Sequence, residues 1–554
     1  MPYIEPPQSA AVSRRVPART RAAGRKLLVG ILSASLLSGG VAPAQEVPPS
    51  QAPRPARSAL PSLGDAGGEE LGVGAERRIG DRIMQELRRD PDLLDDALLV
   101  EYVRSIFDPL LQSAKARGDL SPELAQLFAW ETFVVRDRSV NAFALPGGFI
   151  GVHLGLISMT ATRDELASVL AHELSHVTQR HIARSLATNR RNTALGVVAM
   201  ILGVMAAARS NVDAANALIV GGQAGVAQSQ LNFSRDMERE ADRVGFGVLE
   251  QAGFAGSGMV GMFEHLQQAN RLTDYNQFPY LRSHPLSSER IAEARSRLGI
   301  DAATTALDLI GSGGAQAQWL HAAMQGRARG LMDARSEVLQ RLASATAGGA
   351  APGSAARDDG PQGLATAYAA ALAATRLKNW ALADKALARA WQLVAPYPAA
   401  ARVVLQLQVE SQLERDRPRE AATLLAQAPA DGSRAAMLLN ARVAVAQPGP
   451  AQPLKRVGED LRTWVALHPN DAAAWMALSI VEARLGAQLA SLRAQAEAHF
   501  VSGDLTGAAD RLRAAQRQAR ASGGDSYEAA IIDARLRAVE EQRRRERDDP
   551  EGRR

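Results

Sequence analysis

The stretch Ala171-His172-Glu173-Leu174-Ser175-His176-Val177 sets two histidines four residues apart, with a glutamate beside the first. On a helix both imidazoles stand on one face about one turn apart, so both can reach a single metal ion. Glu173, roughly 100° round from His172, is placed to address an activated water without being a ligand itself. The chemistry is metal-assisted hydrolysis. With no cysteine in the chain, a thiolate site, a cysteine nucleophile and a disulfide framework are all excluded, so histidine and carboxylate must hold any zinc. Leu166, Val169, Leu170, Leu174 and Val177 supply the apolar surface that would seat this helix in a core, and Thr162 with Glu165 reads as the capping box that starts it.

A catalytic zinc takes three protein ligands and keeps one position open, so two histidines need a third partner. His181 lacks the glycine turn and the spacing of the three-histidine class and reads as a solvated histidine. The segment Ser234–Gly245 is richer, with Glu238, Glu240 and Asp242 on one helical pattern. Glu238 and Asp242, four apart, share a face; the first could ligate while the second accepts a hydrogen bond from a ligand imidazole. Glu240 is the rival on the opposite side, and a wholly solvated charged face is the remaining alternative.

Other elements must position these groups. Thr132-Phe133-Val134-Val135-Arg136 is a short β-type run, and the apolar segments around Pro146-Gly147-Gly148 read as a hairpin that leads into the metal helix. An edge strand there could pair with an extended substrate backbone, or the hairpin could be plain core. Helical periodicity runs through Ile79, Ile83 and Leu87, and again through Leu98, Val103, Ile106 and Leu110. Ala194–Ala208 and Ala214–Ala227 are apolar but shorter than the roughly 18–20 residues of a membrane span. They read as a helical cover over the cleft, with peripheral membrane contact as the other option.

At 554 residues the chain exceeds what one core organises. Scarce aromatics (4%) and abundant alanine favour helix-on-helix packing. The net charge of +5 resides in residues 1–44, where Arg14, Arg15, Arg19, Arg21, Arg25 and Lys26 face one acid, Glu5. The remainder is balanced, so charge makes no case for nucleic acid. Those basic residues precede an apolar run, Leu27 to Leu37, and a small-x-small site ending at Ala44, the form of an export signal. Residues 45–68 read as a disordered linker.

The C-terminal half repeats. Leu377-Lys378-Asn379-Trp380-Ala381-Leu382-Ala383 with Ala390 and Pro396, Arg417-Pro418-Arg419-Glu420-Ala421-Ala422, His468–Trp475 and Ala498–Ala509 fit a tetratricopeptide (TPR) period of about 34 residues, in about four repeats.

Asn141–Gly148, Ala171–His176, Ser234-Arg235 with Glu238–Asp242, and Ser283-His284-Pro285 occur in an order that resembles the BepA-type zinc metalloproteases, relatives of HtpX and of the CAAX prenyl protease. The resemblance implies one zinc held by His172, His176 and Glu238, with Glu173 as the base and Asp242 as a functional acid. It also implies that His284 lies near the zinc, as an inhibitory plug or an oxyanion stabiliser, with Arg290 close by. The expected fold is mainly α with a small β-hairpin or sheet: a gluzincin-type metalloprotease domain (69–299), an α-solenoid of TPR repeats (300–546) and a charged tail (547–554). The expected function is a periplasmic zinc endopeptidase acting on misfolded or stalled outer-membrane proteins, with repeats that bind substrate or assembly machinery. The alternative is a chaperone or scaffold with latent proteolysis.

Overall fold

The helix that carries the motif, α5 (Arg163–Thr178), is buried along its whole length from Asp164 to Thr178. Such a helix must be surrounded on all sides. In the computed structural model, which describes residues 71–188, 234–272, 279–298, 313–345, 359–429, 431–449, 452–522 and 526–548, it is. The expected signal, the linker, the apolar stretches between Ala194 and Ala227 and most of the charged tail lie outside these residues. The capping box forms with a shift: Thr162 Oγ1 accepts from the Glu165 N–H at 3.1 Å, and Glu165 Oε2 accepts from the Ala161 N–H at 2.7 Å, one residue before the cap.

Among the described residues before α5 are α1 (Val73–Leu87), α2 (Ala97–Arg117), α3 (Pro122–Leu127), α4 (Leu154–Met159) and four short strands. These are β1 (Leu93–Leu94), β2 (Glu131–Val135), β3 (Ala142–Leu145) and β4 (Phe149–His153), in the sheet order β1-β2-β4-β3. β2 and β4 run parallel, and β3 folds back antiparallel on β4 with Leu145 opposite Phe149. Gly147 and Gly148 make the hairpin turn at φ +80° and +86°, where a side chain would be strained. β3 is one edge of the sheet, opposite β1, and packs beside α5.

Among the described residues after α5 are a short α6 (His181–Thr188), α7 (Arg235–Gln251), α8 (Ser257–Leu272), α9 (Pro279–Ser283) and α10 (Ser288–Arg297). α7 starts at Ser234, whose side chain accepts from the Met237 N–H, and buries Glu238, Ala241, Asp242, Gly245, Val248 and Leu249 on one face. It lies against α5 at Gly245, where a Cβ would stand 3.1 Å from the Ala171 carbonyl oxygen and 3.2 Å from the His172 nitrogen. The missing side chain brings the two motif-bearing helices into register.

α11 (Gly314–Met332) joins the halves. Its buried Arg327 bonds to Asp96, the N-cap of α2, at 2.7 and 2.8 Å, and to Glu410 and Tyr368 from the C-terminal half. Beyond α12 (Ser336–Ser344) come α13 (Pro361–Arg376), α14 (Trp380–Val394), α15 (Pro398–Glu414), α16 (Pro418–Ala426) and α17 (Arg434–Ala446). The series continues through α18 (Gln452–Leu467), α19 (Ala472–Arg484), α20 (Gln488–Ser502), α21 (Leu505–Ser522) and α22 (Ser526–Asp548). Each of these packs on the next, the quasi-linear stacking of a helical solenoid. The main hydrophobic cluster runs without a break from Leu98 to Ala435, so the solenoid is seated on the N-terminal half rather than tethered to it. The fold is thus mainly α with one small sheet. No helix among the described residues is long and apolar enough to cross a membrane.

Candidate metal centre

Four buried side chains from three places converge: His172 and His176 of α5, Glu238 of α7, and His284, just past α9. One ligand atom from each lies within 4.8 Å of all the others. Nε2 of His172 and Nε2 of His176 are 2.9 Å apart, and Nδ1 of His284 is 3.3 Å from the former. Oε2 of Glu238 is 3.5 Å from His172 Nε2, while its Oε1 is 3.4 Å from His176 Nε2 and 3.0 Å from His284 Nδ1. Ligands bound ~2.0–2.1 Å from a tetrahedral zinc stand roughly 3.3 Å from one another, so the spacing, the donor types and the absence of sulfur all fit.

Glu173, fully buried, is held by the Ala144 N–H of β3, which donates to Oε2 at 3.1 Å. Its Oε1 has no hydrogen-bond partner among the described residues and sits 3.5 Å from Nε2 of His284. Burial pushes its carboxyl above the usual range, and the charges of His284 and His172 offset this only in part. The group is therefore more basic than a solvated glutamate.

Asp242 has a different setting. Its Oδ1 is 2.9 Å from Nδ1 of His172, and Arg290 grips the carboxylate from the far side, Nε to Oδ2 at 2.6 Å and NH2 to Oδ1 at 2.8 Å. Burial alone would raise this acid, but the His172 and Arg290 hydrogen bonds hold it down at about 2. Burial would likewise lower His172, yet Asp242 and Glu238 outweigh it and push the imidazole up to about 10. Glu238 is held well below the carboxylate range by the same kind of charge balance: burial opposes, and His284, His172 and His176 prevail. Arg290 also donates to the Pro285 carbonyl at 2.9 Å and lies 2.9 Å from Glu238 Oε2, tying the His284 loop to α7. Tyr280 stacks on His284 with ring centroids 4.7 Å apart.

Two expectations need correction. His181 is not solvated: it is completely buried, with Nδ1 2.9 Å from Nδ1 of His176. The helix break at Arg180, not its distance along the chain, brings it there. Glu240 is no rival ligand; it bonds His181 Nε2 at 3.1 Å and Arg184 at 2.9 Å. Tyr280 escaped the sequence reading altogether, although its position four residues before His284 is the spacing that stacks rings on a helical turn.

Residues 100–298 match the model of peptidase family M48. A beta-barrel assembly-enhancing protease of Escherichia coli O157:H7 is 29% identical over 514 residues, covering 92% of this chain and 96% of that protein. Its namesake in Yersinia pestis is 33% identical over 276 residues, 49% of this chain and 53% of the relative. A Vibrio cholerae relative is 36% identical over 241 residues, where the chain spans 47% of its length. The mitochondrial metalloendopeptidase OMA1 of Saccharomyces cerevisiae is 29% identical over 195 residues, 34% of this chain and 53% of OMA1.

Proposed function

We propose that this chain, whose residues 100–298 match peptidase family M48, is a metalloendopeptidase that hydrolyses peptide bonds with one zinc held by His172, His176 and Glu238. The observation that supports this most is the 2.9 Å approach of the two Nε2 atoms. With Nδ1 of His172 facing Asp242 and Nδ1 of His176 facing His181, both Nε2 atoms are turned into the same buried space, where one cation would take both.

Zinc, when bound, supplies a Lewis acid that lowers the pKa of water and polarises the scissile carbonyl. Glu173 takes the proton of the attacking water at its free Oε1 and passes it to the leaving amine, while the Ala144 N–H keeps Oε2 in place. Asp242 fixes the tautomer and orientation of His172; doubly bonded to Arg290, it is a positioning group rather than a proton donor. The β3 edge beside α5 offers an extended substrate a strand to pair with. His284 reaches both Glu238 and Glu173, and in this reading it acts as a plug that must swing out before substrate enters.

The physiological reading is a periplasmic protease that degrades misfolded or stalled outer-membrane proteins, with the C-terminal helices as TPR repeats that hold the substrate or its assembly machinery. The names of the Escherichia and Yersinia relatives and the export-like residues 1–44 support it. The His284 contacts favour a second reading, in which proteolysis is usually silent and the chain works mainly as a chaperone or scaffold. Metal content is the direct test: wild type should hold one zinc and Glu238→Gln should lose it. Glu173→Gln should keep the metal and lose peptide cleavage by roughly 10²–10⁴-fold. A Glu238→Gln variant that retains zinc would refute the ligand set.

A further inference from the structure

His172 faces Asp242; the group that faces His176 comes from the helix break after α5. α5 ends at Thr178, and Arg180 takes a left-handed conformation at φ +54°. In a continuous helix residue 181 would lie about 140° round from residue 176 and face away from it. The break turns the chain so that His181, the first residue of α6, folds back on the motif. Its ring meets His176 edge-on, with centroids 4.9 Å apart and planes at 76°. Arg180 itself is held by buried Glu76 at 3.2 Å and by the Leu71 carbonyl, which fixes the turn from α1.

We propose that Glu240, His181 and His176 form a hydrogen-bonded relay that orients the second ligand imidazole from outside the metal sphere. The inference rests on the reading of His176 as a ligand through Nε2. The proton positions then follow one from another. His176 with Nε2 committed to the metal carries its proton on Nδ1, and that N–H donates to His181 Nδ1 at 2.9 Å. His181 therefore carries its proton on Nε2, which donates to Glu240 Oε2 at 3.1 Å. Glu240, anchored by Arg184 at 2.9 Å, holds His181 in this one tautomer. The opposite tautomer would set two N–H groups against each other and leave the carboxylate facing a lone pair. The two ligand histidines thus have separate supports: Asp242 with Arg290 behind His172, and His181 with Glu240 behind His176.

Metal affinity of the full chain tests this, read beside the melting temperature of the metal-free protein. His181→Phe keeps the buried ring volume but removes the acceptor, and zinc affinity should fall roughly 10–100-fold. His181→Asn puts an amide oxygen close to the place of Nδ1 and should recover most of that loss, although it leaves more of the buried ring volume unfilled than Phe does. Glu240→Gln should lower affinity in the same direction. In zinc-loaded wild type with ¹⁵N-labelled histidine, long-range ¹⁵N spectra should show His181 protonated at Nε2 and His176 at Nδ1. A His181→Phe protein that binds zinc like wild type, Asn no better than Phe, or a proton on Nδ1 of His181 would each overturn the relay. Undiminished zinc binding by His176→Ala would instead remove the ligand reading on which it stands.

Discussion

The guanidinium of Arg290 binds Asp242 through two atoms and the carbonyl of Pro285 through a third, so the partner of His172 and the loop of His284 share a single side chain. Orientation of His172 and placement of His284 are coupled through it. Arg290→Met should therefore act twice. It leaves the carboxylates of Asp242 and Glu238 buried without their cation, at a cost of about 3–5 kcal/mol, and it lowers zinc affinity about 10–100-fold. Calorimetry of the metal-free and zinc-loaded protein separates the two effects; unchanged melting in both forms would contradict them.

His284→Ala should increase cleavage of an unfolded substrate while zinc stays bound. If the unplugged state is populated at roughly 1–10%, removing the plug raises turnover about 10–100-fold. An oxyanion stabiliser would give the reverse, a fall in kcat, so the direction of change in a steady-state peptidase assay decides between the two roles.

Gly245→Ala tests the helix contact behind the site. The added Cβ would stand 3.1 Å from the Ala171 carbonyl and must push α7 away from α5. We expect a loss of about 1–3 kcal/mol in chemical denaturation and weaker zinc binding, because Glu238 moves with its helix. Retained affinity in a destabilised protein would show that α7 yields without displacing the carboxylate.

His321 on α11 predicts a pH dependence away from the metal. Its Nε2–H donates to the Thr160 carbonyl at 2.9 Å, and its Nδ1 accepts from Tyr102 Oη–H at 2.6 Å. Burial lowers its pKa from 6.5 to about 4, against a smaller opposing effect of the Thr160 bond. Between those values the unfolded chain binds the proton and the folded chain does not, so stability falls as pH drops from 6.5 to 4, by about 3 kcal/mol from this group. His321→Gln should flatten that part of the stability–pH curve. An unaltered slope would assign the acid sensitivity elsewhere.

Much of the centre was legible because local chemistry dictates it. The four-residue spacing of His172 and His176 puts both on one face of any helix they form. Thr162 and Glu165 supply the cap, Gly147 and Gly148 the hairpin turn, and Glu238 and Asp242 share a face for the same periodic reason. Those features depend on neighbours within about two turns, and the chain alone determines them.

What the tertiary structure decided is which faces meet. Glu238 and Glu240 are equally good carboxylates on one helix; the approach of α7 at Gly245 turns the first toward the imidazoles and leaves the second to His181. His181 looked like a surface residue because a left-handed Arg180 cannot be read from helical periodicity. The seating of the solenoid on the catalytic half rests on Arg327, whose partners Asp96 and Glu410 lie more than 300 residues apart in sequence. Contacts of that range depend on the packing of the whole molecule, which no local spacing encodes.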